Sequence, residues 1–133
     1  MEVKGRMISR GIGRGKVLIS TEPISFYGGV DPERGVVVEK GHPLEGKYLK
    51  GVVLVFPTGK GSTVGSYILL SMKKNGVSPA AIINRECDPV VAVGAIIAGI
   101  PLVDKLERDV FSLLKNGQTV KVDGNKGTVI LKR

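Results

Sequence analysis

Three short apolar runs without polar alternation, at residues 52–56, 80–83 and 102–103, set the strongest limit on what this chain can fold into. A strand that is apolar at every position must be covered on both faces. That is the situation of parallel strands flanked by crossover helices, not of a hairpin sheet with one wet side. The segments between the runs fit that role. Val64, Tyr67, Ile68 and Met72 recur at helical spacing, and Asn75-Gly76 supplies a stop. Asp88-Pro89 gives a cap followed by proline at the first helical position, ahead of an apolar stretch over 90–98 closed by Gly99. Strand, helix, strand, helix, strand predicts a βαβαβ unit with right-handed crossovers.

The flanks have a different texture. Glycines at 5, 11, 13, 15, 28, 29, 35, 41 and 46 punctuate short β-rich pieces such as 16–19 and 36–38, which predicts twisted strands and loops. Toward the other end, Val120, Val122, Val129 and Leu131 keep two-residue spacing around Asp123-Gly124, a hairpin signal. Residues 106–114 read as a short helix ending at Asn116-Gly117. No repeat, low-complexity tract or linker interrupts residues 1–133, so the chain reads as one α/β domain: a parallel βαβαβ core with a curved or barrel-like β portion.

Composition narrows the chemistry. With 42% hydrophobic residues but no apolar run near the roughly 18 residues of a membrane span, the expectation is a soluble domain. A single core at this length buries roughly two-thirds of the unfolded surface, so folding requires neither disulfides nor a structural metal. The one cysteine, Cys87, has no partner for an internal bridge, and residues 1–11 lack the apolar stretch of a signal peptide; both point to a reducing, cytoplasmic setting. One His and one Cys cannot build a Cys-ligated iron–sulfur cluster, a zinc finger or a His-rich cage. The net charge of +8 permits an anionic partner, but the excess is spread over both halves. Three Phe, three Tyr and no Trp offer no aromatic ladder for stacking bases, which argues against a nucleic-acid surface.

In an α/β sheet of this kind, ligands bind beyond the carboxyl ends of the parallel strands. Three loops are expected there: 57–62, 84–88 and 104–105. The first is the most informative. Gly59 and Gly61 let the backbone turn sharply and aim successive N–H groups inward, Ser62 stands at the start of a helix, and Lys60 adds a cation. A nucleotide P-loop fails on spacing, because Lys60 lies between the glycines instead of before the hydroxyl residue. Two readings stay open: Ser62 as a helix cap, and Ser62 as a proton-transfer group whose alkoxide is held by the helix N-terminus and neighbouring amides. No nearby His supports a hydrolase triad.

Here the sequence resembles a known family. Residues 56–67 (Phe-Pro-Thr-Gly-Lys-Gly-Ser-Thr-Val-Gly-Ser-Tyr), with Gly28-Gly29-Val30-Asp31-Pro32, His42-Pro43-Leu44-Glu45-Gly46 and Asn84-Arg85-Glu86-Cys87-Asp88-Pro89, are similar to the small subunits of archaeal phosphomevalonate dehydratases. These are the detached swivelling β/β/α domains of the aconitase X branch of the aconitase superfamily, and the likeness runs from about residue 4 to the end of the chain. The resemblance implies a hydro-lyase subunit, active only with a large subunit that carries a 4Fe–4S iron–sulfur cluster. The implied reaction dehydrates (R)-mevalonate 5-phosphate to trans-anhydromevalonate 5-phosphate in a mevalonate route to isoprenoids. It also implies Ser62 as catalytic base, removing a proton next to a carboxylate while a cluster iron acts as Lewis acid on the leaving hydroxyl. Gly59, Gly61 and Thr63 are then candidate substrate-binding amides, and Lys60 a cation for carboxylate or phosphate.

The chain also departs from the wider pattern. The classical loop continues after its serine with a second serine and a substrate-binding arginine, where this chain has Thr63 and Val64. Arg85, on the adjacent strand-to-helix loop, is the candidate replacement; pairing with Glu86 or Asp88 is the competing role. Asp31 resembles an acidic, substrate-side loop of related isomerase subunits, although a turn before Pro32 explains it as well. His42 and Cys87 read as structural. Two rival functions are a hydro-lyase subunit of the same branch acting on another hydroxy acid, such as a cyclic hydroxyproline, and a non-catalytic module that binds phosphate or nucleic acid.

Overall fold

The computed structural model describes residues 1–131. Ten strands and four helices follow in chain order: β1 (Glu2–Lys4), β2 (Arg6–Ser9), β3 (Ile12–Ile19), α1 (Phe26–Gly29), β4 (Val30–Asp31), β5 (Val36–Val37), β6 (Val53–Phe56), α2 (Gly65–Lys74), β7 (Ala81–Asn84), α3 (Pro89–Ala98), β8 (Leu102–Asp104), α4 (Val110–Leu113), β9 (Thr119–Asp123) and β10 (Thr128–Leu131). Eight strands form one sheet in the order β1-β10-β9-β3-β6-β7-β8-β2, while β4 and β5 make a separate two-stranded ribbon.

The parallel core is one strand larger than the apolar runs announce. β6, β7 and β8 run parallel as expected, and the second half of β3 joins them, with Val17, Leu18 and Ile19 opposite Val53, Leu54 and Val55. The first half of the same strand pairs antiparallel with β9, so β3 carries the chain from one sheet regime to the other. Its glycines permit the crossing: a Cβ on Gly13 or Gly15 would run into the backbone carbonyl of Ala80 or Gly51.

Every position of β6 is buried because its two faces serve different cores. Leu54 and Phe56 pack under α2 and α3 with Leu69, Met72, Val91 and Ala95. Val53 and Val55 turn to the opposite side and meet Val120, Val122 and Val129 of the antiparallel layer. The result is helices on parallel strands on a curved antiparallel layer. The curvature agrees with the sequence reading, but no ladder closes a barrel: β1 and β2 are the two open edges, and they are successive strands joined by Gly5.

Asp88 caps α3 by accepting the Val90 and Val91 amides, Pro89 opens the helix, and Gly99 closes it at φ +69°. One local expectation needs correction: the stretch 106–114 is helical only over Val110–Leu113, where Asp109 supplies a cap. The expected hairpin forms, its turn being the four residues 124–127, with Asp123 paired to Thr128 and its carboxylate collecting the Asn125 and Lys126 amides. No helix among the described residues is long and apolar enough to cross a membrane.

Candidate functional site

The loop between β6 and α2 is tied down at its start and open at its end. Pro57 offers its carbonyl to the amides of Arg85 and Glu86, which lashes together the loops that follow β6 and β7. On the other side Ile24 donates to the Thr58 carbonyl and accepts from the Lys60 amide. The Gly59 amide donates to Asp88 Oδ1 at 2.8 Å. Beyond that point the chain turns at Gly61, φ +92°, and Ser62, Thr63 and Val64 stand exposed.

The amides of Gly61, Ser62 and Thr63 have no hydrogen-bond acceptor among the described residues. These three N–H groups lie in the loop just before the α2 N-cap residue, Val64, whereas the helix's own first amides are bonded, Gly65, Ser66 and Tyr67 donating to the Ser62, Thr63 and Val64 carbonyls. Unpaired loop donors of this kind suit an anion. Ser62 is not the helix cap that its position suggested: the N-cap of α2 is Val64, which has no side-chain cap bond. Ser62 stands two residues earlier, its Oγ accepting the Val64 amide at 3.1 Å and its carbonyl accepting from Gly65 at 3.0 Å in a tight turn. A hydroxyl oxygen that receives an N–H is better able to carry negative charge, so this turn contact and the proton-transfer role are compatible. The Val64 amide thus supports charge on that oxygen, and the three unpaired amides are its neighbours in the loop.

Lys60 ion-pairs with Glu39, Nζ to Oε2 at 3.1 Å, both groups partly exposed. The pair edges a shallow cavity of about 310 Å³ with Ser25, Gly28 and Gly61 among its walls. A neighbouring cavity of about 450 Å³ is lined by Thr58, Arg85, Cys87 and Asp88. Arg85 touches that wall, but its guanidinium is engaged elsewhere. It bonds Asp109 at 3.2 Å and lies 4.5 Å from the centre of the Phe111 ring. Neither Glu86 nor Asp88 is its partner; Glu86 faces Lys105 at 4.0 Å. The bond from Arg85, followed by the Phe111 amide, holds the Asp109 carboxyl below the usual carboxylate range.

Asp31 is not brought to the Ser62 loop. Its carboxylate accepts the Glu33 and Arg34 amides and faces the Arg34 guanidinium, so it shapes the β4–β5 turn. The next residue, Pro32, receives the side-chain amide of Asn75 at the C-terminal end of α2. Ser62 sits at the other end, a helix of about 15 Å away. His42 is structural: Nδ1 accepts the Leu44 amide, which leaves Nε2 to donate to the Pro23 carbonyl. Burial, with Asp88 and Asp104 nearby, pushes the Cys87 thiol up to about 12, so it stays protonated.

Sequence reasoning missed three contributors. Ser25 closes against Gly61, Glu39 neutralises Lys60, and Asp88 binds the glycine loop as well as its own helix. Only the last left a signal, the Asp-Pro helix start.

The iron–sulfur cluster that the resemblance implies for a large subunit finds no ligand set among the described residues of this chain. Among the described residues no three His, Cys, Asp or Glu side chains gather to hold a metal, and the one thiol resists the deprotonation that a thiolate ligand requires.

The aconitase X swivel domain model matches residues 2–131. The phosphomevalonate dehydratase small subunit of Methanosarcina mazei is 60% identical over 131 residues, covering 98% of this chain and 91% of that protein. Its counterpart in Methanothermobacter thermautotrophicus is 54% identical, covering 97% of this chain and 98% of that one. A chain of the crystal structure of Thermococcus kodakaraensis aconitase X (holo-form) superposes with a TM-score of 0.94 at 46% identity, covering 100% and 99% of the two chains. Sequence and architecture thus agree along nearly the whole length, and the chain belongs to the aconitase X swivel domain family.

Proposed function

We propose that this chain is the small subunit of a phosphomevalonate dehydratase, a hydro-lyase that converts (R)-mevalonate 5-phosphate to trans-anhydromevalonate 5-phosphate. The names of its relatives support the activity and imply a larger partner subunit. In this reading the iron–sulfur cluster resides on that partner, and this chain contributes Ser62 as the base.

The observation that carries the site assignment is the run of free Gly61, Ser62 and Thr63 amides beside an exposed hydroxyl in the loop that leads into α2. Removing a proton beside a carboxylate builds enediolate-like charge, and preorganised N–H donors stabilise charge that develops at a fixed position. Gly61 and Thr63 donate to substrate oxygens, and Lys60 balances an anionic end of the substrate. Ser62 Oγ, acting as the alkoxide, takes the proton and becomes the hydroxyl, while the C–H electron pair forms the double bond and the substrate's own hydroxyl leaves as hydroxide. The Val64 amide holds that oxygen oriented before the proton moves. Gly59 contributes shape, since its own amide is committed to Asp88.

The decisive experiment reconstitutes the chain with its large subunit and compares wild type with Ser62→Ala. Dehydration should fall by about 10³-fold or more, on the scale of losing a general base together with its oriented site, while association and the thermal midpoint are retained. Wild-type turnover in the variant would overturn the assignment.

A further inference from the structure

We propose that Asp88 is a positioning residue for Ser62: its carboxylate fastens the glycine loop to the first turn of α3 and thereby fixes where the hydroxyl stands. The inference rests on the reading of Ser62 as the base.

One side chain spans two elements here. Asp88 Oδ1 accepts the Gly59 amide at 2.8 Å, while Oδ2 accepts Val90 and Val91 at 3.0 and 3.3 Å. A cap for α3 requires only the second set, and serine or asparagine would provide it as well. The first set reaches 29 residues back along the chain to a loop that belongs to another strand. Gly59 is shaped for this contact. A Cβ there would lie 2.6 Å from Asp88 Oδ1 and 2.6 Å from Val91, so the close approach of backbone to carboxylate excludes any side chain.

The bond falls where it has leverage. Ser62 is three residues on, and between them Lys60 is held from the opposite side by the Ile24 carbonyl. With both ties present, the direction in which the chain leaves toward Gly61 is set. Without Asp88 the start of the loop is held by Ile24 alone, so Gly59 loosens and the turn that carries Ser62, still closed on itself by the Val64 and Gly65 amides, shifts as a unit against α3. The same carboxylate also occupies the amides of α3, which would otherwise be a second anion-attracting group beside the Ser62 loop. Substrate charge is therefore directed to the Gly61–Thr63 amides and Lys60, away from the start of α3.

Asp88→Ser separates the two duties, because a serine hydroxyl caps a helix but is too short to reach Gly59 as well. Asp88→Asn keeps the length and one acceptor oxygen. In the reconstituted complex with (R)-mevalonate 5-phosphate, Asp88→Ser should lower kcat about 10- to 100-fold with KM within about twofold, the scale of displacing a reacting group by an ångström or less. Asp88→Asn should recover part of that loss. Hydrogen exchange at the Gly59 amide should speed up in Asp88→Ser while the thermal midpoint of the chain changes little. Added to Ser62→Ala, Asp88→Ser should cost nothing further, since its effect passes through the hydroxyl. An unchanged kcat in Asp88→Ser, or losses that multiply in the double variant, would overturn the proposal. Wild-type turnover in Ser62→Ala would instead overturn the reading beneath it, and the Gly59 exchange rate reports on the tether in either case. Should Asp88→Ser fail to fold, Asp88→Asn decides: slowed turnover with faster Gly59 exchange supports the tether, and wild-type values for both refute it.

Discussion

Replacing Gly61 by alanine tests whether the Ser62 loop has the shape described. The substitution meets two obstacles. At φ +92° an L-residue is strained by about 1–3 kcal/mol. The new methyl would also stand 2.5 Å from Ser25 Oγ and 3.4 Å from Ser25 Cβ. The loop has little freedom to retreat, being held at Gly59 by Asp88 and at Lys60 by Ile24, so the collision adds about 1–2 kcal/mol of overpacking. Gly61→Ala should therefore destabilise the chain by about 3 kcal/mol in urea unfolding. Ser25→Ala alone loses the hydroxyl bond to the Tyr27 carbonyl, about 1 kcal/mol. Combined, the two should fall short of additive by about 1 kcal/mol, because removing Oγ leaves only the tolerable 3.4 Å contact. Turnover should follow the same pattern, lost in Gly61→Ala and partly restored in the pair. Strict additivity, or a Gly61→Ala chain within about 0.5 kcal/mol of wild type, would refute the geometry.

Glu39→Gln releases Lys60 from its exposed ion pair, whose strength is at most about 1 kcal/mol, so KM for the anionic substrate should drop about two- to fivefold; a rise would show that Glu39 assists binding. Cys87, protonated up to about pH 12 in the folded chain, should react with thiol reagents at pH 8 far more slowly than in urea, and equal rates would contradict its burial. The unfolded thiol ionises near 8.5, so between that value and about 12 the unfolded state holds fewer protons than the folded one and stability falls as pH rises. Cys87→Ala should flatten that alkaline decline in urea midpoints, and an identical slope would count against the shift.

The helices and the buried strands were legible because their signals are local. An all-apolar Val53–Phe56 demands cover on both faces, and Asp88-Pro89 announces a helix start wherever it lies. What stayed hidden depended on contacts between distant segments. β3 looks like a single strand among glycines, and nothing within it says that Ile12–Lys16 pairs with β9 while Val17–Ile19 pairs with β6. Arg85 has two acidic neighbours in sequence, yet its partner is Asp109, brought alongside only by the fold. Asp31 and Ser62 both lie in glycine-rich stretches, and only the placement of Pro32 against Asn75 separates them by the length of α2. The glycine–serine loop itself was readable, whereas its fastening by Asp88 joins residues 29 apart.

The N-terminal strands do unusual duty. β1 covers one rim of the sheet through β10, and β2 covers the other through β8, with only Gly5 between them. A single eight-residue segment thus supplies both outer edges of the sheet and pairs the rims of β10 and β8 that would otherwise be free. Whatever loosens it acts on both rims at once, so the two margins of the sheet stand or fall together although they lie at opposite ends of its eight strands.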